Sequence, residues 1–150
     1  MNNILHLFGF FNFCFWITAS YYFLDFVLWR LSRRYKEIKP SHKSYYVRSN
    51  MIKGLLLGFW SPYAINLLIS LYLYDSWNKE QLKVLAALYS SLDTVSLYMV
   101  PKMQLNTIVH HVAVFLLYMY CLWCDFELVG LTRIIIVYAI WSTLAWTVNL

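Results

Sequence analysis

Four positions carry ionisable side chains within otherwise apolar stretches: Asp25, Asp93, the adjacent pair His110 and His111, and Arg133. Inside hydrocarbon such a group costs about 2.5–3.5 kcal/mol on insertion scales, so each needs a partner or a wet cavity. A carboxylate beside an imidazole fixes its tautomer and raises its basicity. Asp93 with His110 or His111 therefore suits a general base that takes a proton from an amine or a hydroxyl. The same residues also suit a buried hydrogen-bond cluster that only holds helices together. A metal is not expected: neighbouring histidines diverge by about 100° on a helix, and chelation from one helix prefers a spacing of three or four. Asp25 is read as neutralising nearby Arg30, and Arg133 as pairing with Asp125 or Glu127 or facing inward.

These residues need elements that bring them to one depth. Five apolar stretches approach the roughly 20 residues that a membrane-spanning helix requires. They run from about Ile4 to Trp29, Gly54 to Tyr74, Leu82 to Val100, Leu105 to Trp123 and Leu128 to Leu150. Strand-like alternation is missing, so the expected fold is all-α: a multi-pass transmembrane helical bundle of about five spans. The chain divides into a first helix at 1–30, a basic loop at 31–53 and a helical region at 54–150. Pro62 is expected to kink the second helix, with Ser61 and Asn66 facing other helices. Asp93 lies eight residues before Pro101, about 12 Å along the helix, and His110 about 9 Å beyond Gln104. A short connection makes these two helices antiparallel neighbours, so Asp93 and the histidines should meet at similar depth.

Composition excludes an ordinary soluble domain. Hydrophobic residues make up 61% of the 150-residue chain and charged residues 13%, against about 45–50% and about 25% in globular proteins. The net charge of +5 does not indicate nucleic acid, because eight of the twelve Lys and Arg fall between Arg30 and Lys53. Such a segment between apolar runs reads as a cytosolic loop. Alternating helices put Lys102 on the same side. The N-terminus is then lumenal or extracellular and the C-terminus cytosolic, in the endoplasmic reticulum or plasma membrane. The N-terminal apolar run exceeds a signal peptide's hydrophobic region and reads as a retained helix. Cys14, Cys121 and Cys124 read as free thiols rather than a disulfide framework.

The stretches Leu92-Asp93-Thr94-Val95-Ser96-Leu97 and Asn106-Thr107-Ile108-Val109-His110-His111-Val112-Ala113 resemble the TLC domain family, which includes ceramide synthases and several non-enzymatic membrane proteins. Leu73-Tyr74-Asp75, Arg48-Ser49 and Arg133 fit the same pattern, and the resemblance covers roughly Arg48 to Asn149. It departs from ceramide synthases where they carry a further His-Asp pair, since Trp141 to Trp146 holds neither histidine nor acid. The second helix also lacks a histidine near its start, and the bundle is about one helix short. The resemblance thus implies a truncated or minimal member, whose polar cavity stays partly open unless another subunit, as in a homo-oligomer, closes it.

Three functions follow as expectations. In the first, the protein binds or senses membrane lipid and affects membrane lipid composition, with Asp93, His110, His111 and Arg133 at the lipid. In the second, the resemblance implies an acyl-CoA-dependent N-acyltransferase. Asp93, His110 and His111 are then catalytic, a histidine serves as base or acyl carrier, and acyl-CoA is a co-substrate rather than a resident cofactor. The third is a non-catalytic packing or assembly protein.

Overall fold

The computed structural model describes residues 3–124 and 130–148. Asp125, Glu127, Asn149 and Leu150 lie outside them, so the expected pairing of Arg133 with the two acids falls there too. Every element among the described residues is helical: α1 (Asn3–Leu31), α2 (Arg33–Ile38), α3 (Lys43–Tyr74), α4 (Lys79–Met99), α5 (Leu105–Cys121) and α6 (Leu131–Val148). α1 and α3 are both long and apolar enough to cross a membrane. α4 has the length, with 21 residues, but Lys79, Glu80, Lys83, Asp93 and its serines make it too polar by that measure. α5, at 17 residues, sits at the lower limit for spanning.

The segment expected as a basic loop is mostly helix. Ser32 caps α2, its side chain accepting from the Tyr35 N–H, and α3 begins at Lys43, well before the expected Gly54. The physical reason is that Lys and Arg are good helix formers: their charge keeps them out of hydrocarbon, not out of a helix. α3 ends at Tyr74, where Asp75 takes a left-handed conformation (φ 45°) that Asp tolerates better than most residues. Asn78 then caps α4 by accepting from the Gln81 N–H at 3.2 Å, as N-cap asparagines do. α4 stops before Pro101, which disfavours helical backbone in the residue preceding it. A turn through Lys102 (φ 56°) returns the chain into α5.

α4 is the central helix. It packs on α1, α3, α5 and α6, and Leu82, Leu85, Leu88, Leu92 and Val95 are all buried. Ala86, Ala87, Ser90, Ser91 and Ser96 are buried on it as well, and small residues let neighbouring backbones approach closely. α1 runs parallel to α4: near one end His6 meets Glu80 at 2.9 Å, and farther along Thr18 meets Tyr98 at 2.6 Å. α5 closes on α1 through Phe10 stacked on Tyr118, whose hydroxyl donates to the His6 carbonyl at 3.1 Å. Among the described residues α5 and α6 share no extended contact, which leaves a seam between them.

Burial is inverted relative to a soluble bundle. Asp93, His111, Arg48 and six serines of α3 and α4 are buried, while Phe8, Phe11, Phe15, Trp16, Phe23, Phe26 and Phe59 are exposed. α1 is apolar around its whole circumference yet buries only one face. α3 runs on through Pro62, with Ser61 buried as expected, whereas Asn66 lies on the exposed face.

Leu88→Ala should destabilise the fold by about 2–5 kcal/mol, as large-to-small core changes do. Phe15→Ala, on the exposed face, should change it by less than about 0.5 kcal/mol. Thermal unfolding in mild detergent compares the two, and equal losses would show that α4 is not the core.

Candidate functional site

The site is built on α4, where Ser90, Asp93 and Thr94 share a face at i, i+3 and i+4. Asp93 is 3% exposed. Lys53 of α3 donates to its Oδ1 at 2.6 Å. From α5, His111 Nδ1 lies 3.1 Å from the same oxygen, within ion-pair distance but not aligned as a hydrogen bond. His110 Nε2 lies 3.7 Å from Oδ2. The two imidazoles are 5.6 Å apart and inclined at 55°, so adjacent residues flank one carboxylate from two directions. They differ in access: the His111 side chain is buried, whereas that of His110 is 47% exposed.

The expected meeting of Asp93 with His110 and His111 is thus present. Arg133 is not brought to it. That guanidinium stands over the Trp77 ring at 4.3 Å, with Nη1 3.8 Å from Asp75 Oδ1, beside the turn that precedes α4. Lys53 is the member that sequence reasoning missed, because it was assigned to the basic loop. The available signal was its place at the edge of an apolar run, four residues after Ser49, another buried polar residue. Asp25 also differs from expectation. It accepts from Tyr35 Oη at 2.7 Å and Lys39 Nζ at 2.8 Å, while Arg30 lies over the Phe26 and Trp29 rings.

Hydrogen-bonding capacity is left over. Asp93 Oδ2, His111 Nδ1, Ser90 Oγ and Thr94 Oγ1 are buried without a hydrogen-bond partner among the described residues. Each such group costs about 1–3 kcal/mol until something satisfies it. Of these residues Ser90 lines a cavity of about 250 Å³ in the seam between α5 and α6, while Asp93, Thr94 and His111 lie outside its lining. Ala86 and Ser90 of α4, His110, Ala113 and Leu117 of α5, and Ile136 of α6 line it. It is therefore a mostly apolar slot whose wall also carries His110, Ser90 and the tyrosines Tyr89, Tyr118 and Tyr138.

Asp93, His110 and His111 offer ligand atoms within 4.8 Å of one another, a spacing that a metal ion can bridge. The fit is nevertheless poor, because the Lys53 ammonium already occupies the carboxylate and would repel a divalent cation at contact distance. Cys14, Cys121 and Cys124 are free thiols. Comparison with protein-family models, with curated proteins and with solved structures found no match to this chain.

Two outcomes are expected. Lys53→Met leaves Asp93 buried and uncompensated and should cost about 3–5 kcal/mol, whereas Lys53→Met with Asp93→Leu should recover much of that loss. Unfolding of both variants in detergent measures the coupling, and additive effects would refute it. The second concerns Tyr35, which burial, and after it the hydrogen bond to Asp25, push up to about 12. A folded-state value above the unfolded one of about 10 means that the contact's contribution is full below pH 10 and is lost as pH rises towards 12. Tyr35→Phe should remove this alkaline loss from a pH series of melting temperatures.

Proposed function

We propose that the protein is a multi-pass membrane protein, built like members of the TLC domain family, that binds or senses lipid and so affects membrane lipid composition. One observation carries this reading: the mostly apolar slot between α5 and α6 has His110 and Ser90 in its wall, and His110 lies 3.7 Å from the buried Asp93 that Lys53 and His111 also approach. An acyl chain fits the slot's apolar wall, and a polar headgroup meets His110 and the Ser90 hydroxyl on that wall, with Asp93 behind His110 at 3.7 Å. Ligand sites commonly combine these features, an apolar lining with few convergent polar groups.

The exterior supports the membrane part of the reading. A helix that is apolar all round and yet uncovered by protein suits hydrocarbon. In that setting the end of the bundle carrying α2, the start of α3 and Lys102 faces the cytosol, by the positive-inside rule. Tyr46 donates to the Lys102 carbonyl at 3.1 Å, which puts these basic residues at one end. The endoplasmic reticulum or plasma membrane is the proposed location.

An acyl-transfer enzyme is the second reading. The asymmetric exposure of the two imidazoles favours it, since a buried His111 beside Asp93 can orient the group while His110 meets a substrate.

The protein purified in mild detergent should retain a lipid that native mass spectrometry detects. Ala113→Trp, which fills the slot, should abolish retention, and His110→Ala should weaken it while the fold persists. Turnover of acyl-CoA with a long-chain base, lost in His110→Ala, would favour the enzyme. A lipid-free protein that is unaffected by Ala113→Trp would refute the binding reading and leave a packing role.

A further inference from the structure

A second polar pocket lies at the basic end of the bundle, apart from the Asp93 cluster. Asp25 of α1 gathers two cations there: Lys39 Nζ at 2.8 Å and Arg48 Nη1 at 3.6 Å. Tyr35 occupies the remaining side of the carboxylate. Two cations against one carboxylate leave one positive charge in surplus. The Arg48 side chain is only 6% exposed. Its Nε donates to the Ser44 carbonyl at 3.3 Å, its Nη1 to the Tyr21 carbonyl at 3.3 Å, and it lies over the Tyr45 ring at 4.2 Å. The guanidinium is therefore fixed in orientation before any ligand arrives, and the single carboxylate of Asp25 is shared between it and Lys39.

Beside it opens a cavity of about 410 Å³ lined by Asp25, Lys39, Arg48, Tyr45 and Tyr98, with Tyr22 on its wall. Its lining is polar where the slot's is apolar. Tyr22 is 66% exposed and continues the uncovered apolar face of α1, so the cavity adjoins the surface that lipid tails would cover. A planar guanidinium and an ammonium on one cavity wall match the oxygens of a phosphate, and basic pockets between helices at the cytosolic side are known to take anionic headgroups.

We propose that this cavity is a phosphate site, in which Arg48 and Lys39 hold one phosphate monoester, carried by a membrane lipid or free in solution. The surplus charge is neutralised there, while Asp25, itself on the cavity wall, holds the two cations in place through its ion pairs with them. The site stands independently of the lipid slot, from which it is separated in lining and in chemistry.

The test is thermal unfolding of the full chain in uncharged detergent with added dioleoylphosphatidate, dioleoylglycerol or inorganic phosphate. Phosphatidate should raise the melting temperature beyond any effect of the diacylglycerol. Lys39→Met should raise the phosphatidate concentration needed for that difference about tenfold or more, as loss of one charged contact does. Lys36→Met removes the same charge from the same end without touching the cavity and should leave the difference intact. Stabilisation by inorganic phosphate that also displaces phosphatidate would identify the free anion as a ligand, and phosphatidate alone acting would identify the lipid. Arg48→Met should abolish the response, and if it fails to fold the exposed Lys39 decides. No difference between phosphatidate and diacylglycerol without a response to phosphate, or equal weakening by Lys36→Met and Lys39→Met, would overturn the proposal. Ala113→Trp, which fills the slot, should leave the phosphate response unchanged.

Discussion

A carboxylate held at the centre of a helical bundle constrains everything around it. Asp93 sits on α4, the helix that packs against four others, and is 3% exposed. Its charge has to be met inside the bundle, and Lys53 meets it at 2.6 Å. That pairing fixes the rotation of α3 against α4, and the histidines fix the rotation of α5. A neutral residue at 93 would relax the demand on all three helices. Buried ion pairs add little net stability because desolvation offsets attraction, so the value of this one lies in the register it imposes.

The apolar exterior makes the polar interior intelligible. With so many large apolar side chains left outside, apolar burial by itself selects only weakly between packings. Selection then falls to small residues that permit close approach and to polar groups that must find partners. α4 supplies both, through Ala86, Ala87 and its buried serines on one hand and Asp93 on the other. Ser96 illustrates this: its hydroxyl donates to the Leu92 carbonyl at 2.9 Å and meets Ser49 Oγ of α3 at 3.3 Å.

The two cavities differ because their walls come from different parts of this arrangement. The slot exists where α5 and α6 flank α4 without closing on each other, so it inherits the apolar faces of both. The second pocket exists where α1, α3 and the end of α4 converge beyond their apolar stretches, so it inherits the charges of the connecting segment. The chain thus separates an apolar compartment from an anion-attracting one along a single central helix.

Much of this could be read from residue order. The helical class followed from long apolar runs without alternation, and the approach of Asp93 to His110 and His111 followed from counting residues on either side of a tight turn at Pro101. Both rest on local geometry, which 1.5 Å per residue specifies. The role of Lys53 and the partners of Asp25 could not be read, because they depend on which faces of α1, α3 and α4 meet. A charge excludes a residue from hydrocarbon in a sequence count, yet a lysine paired with a buried carboxylate is admitted. Only the tertiary structure supplied that partner, which turned a presumed loop residue into a member of the site. It also placed Arg133 beside Asp75 and Trp77, apart from the cluster, since depth along a helix fixes one coordinate and packing decides the other two.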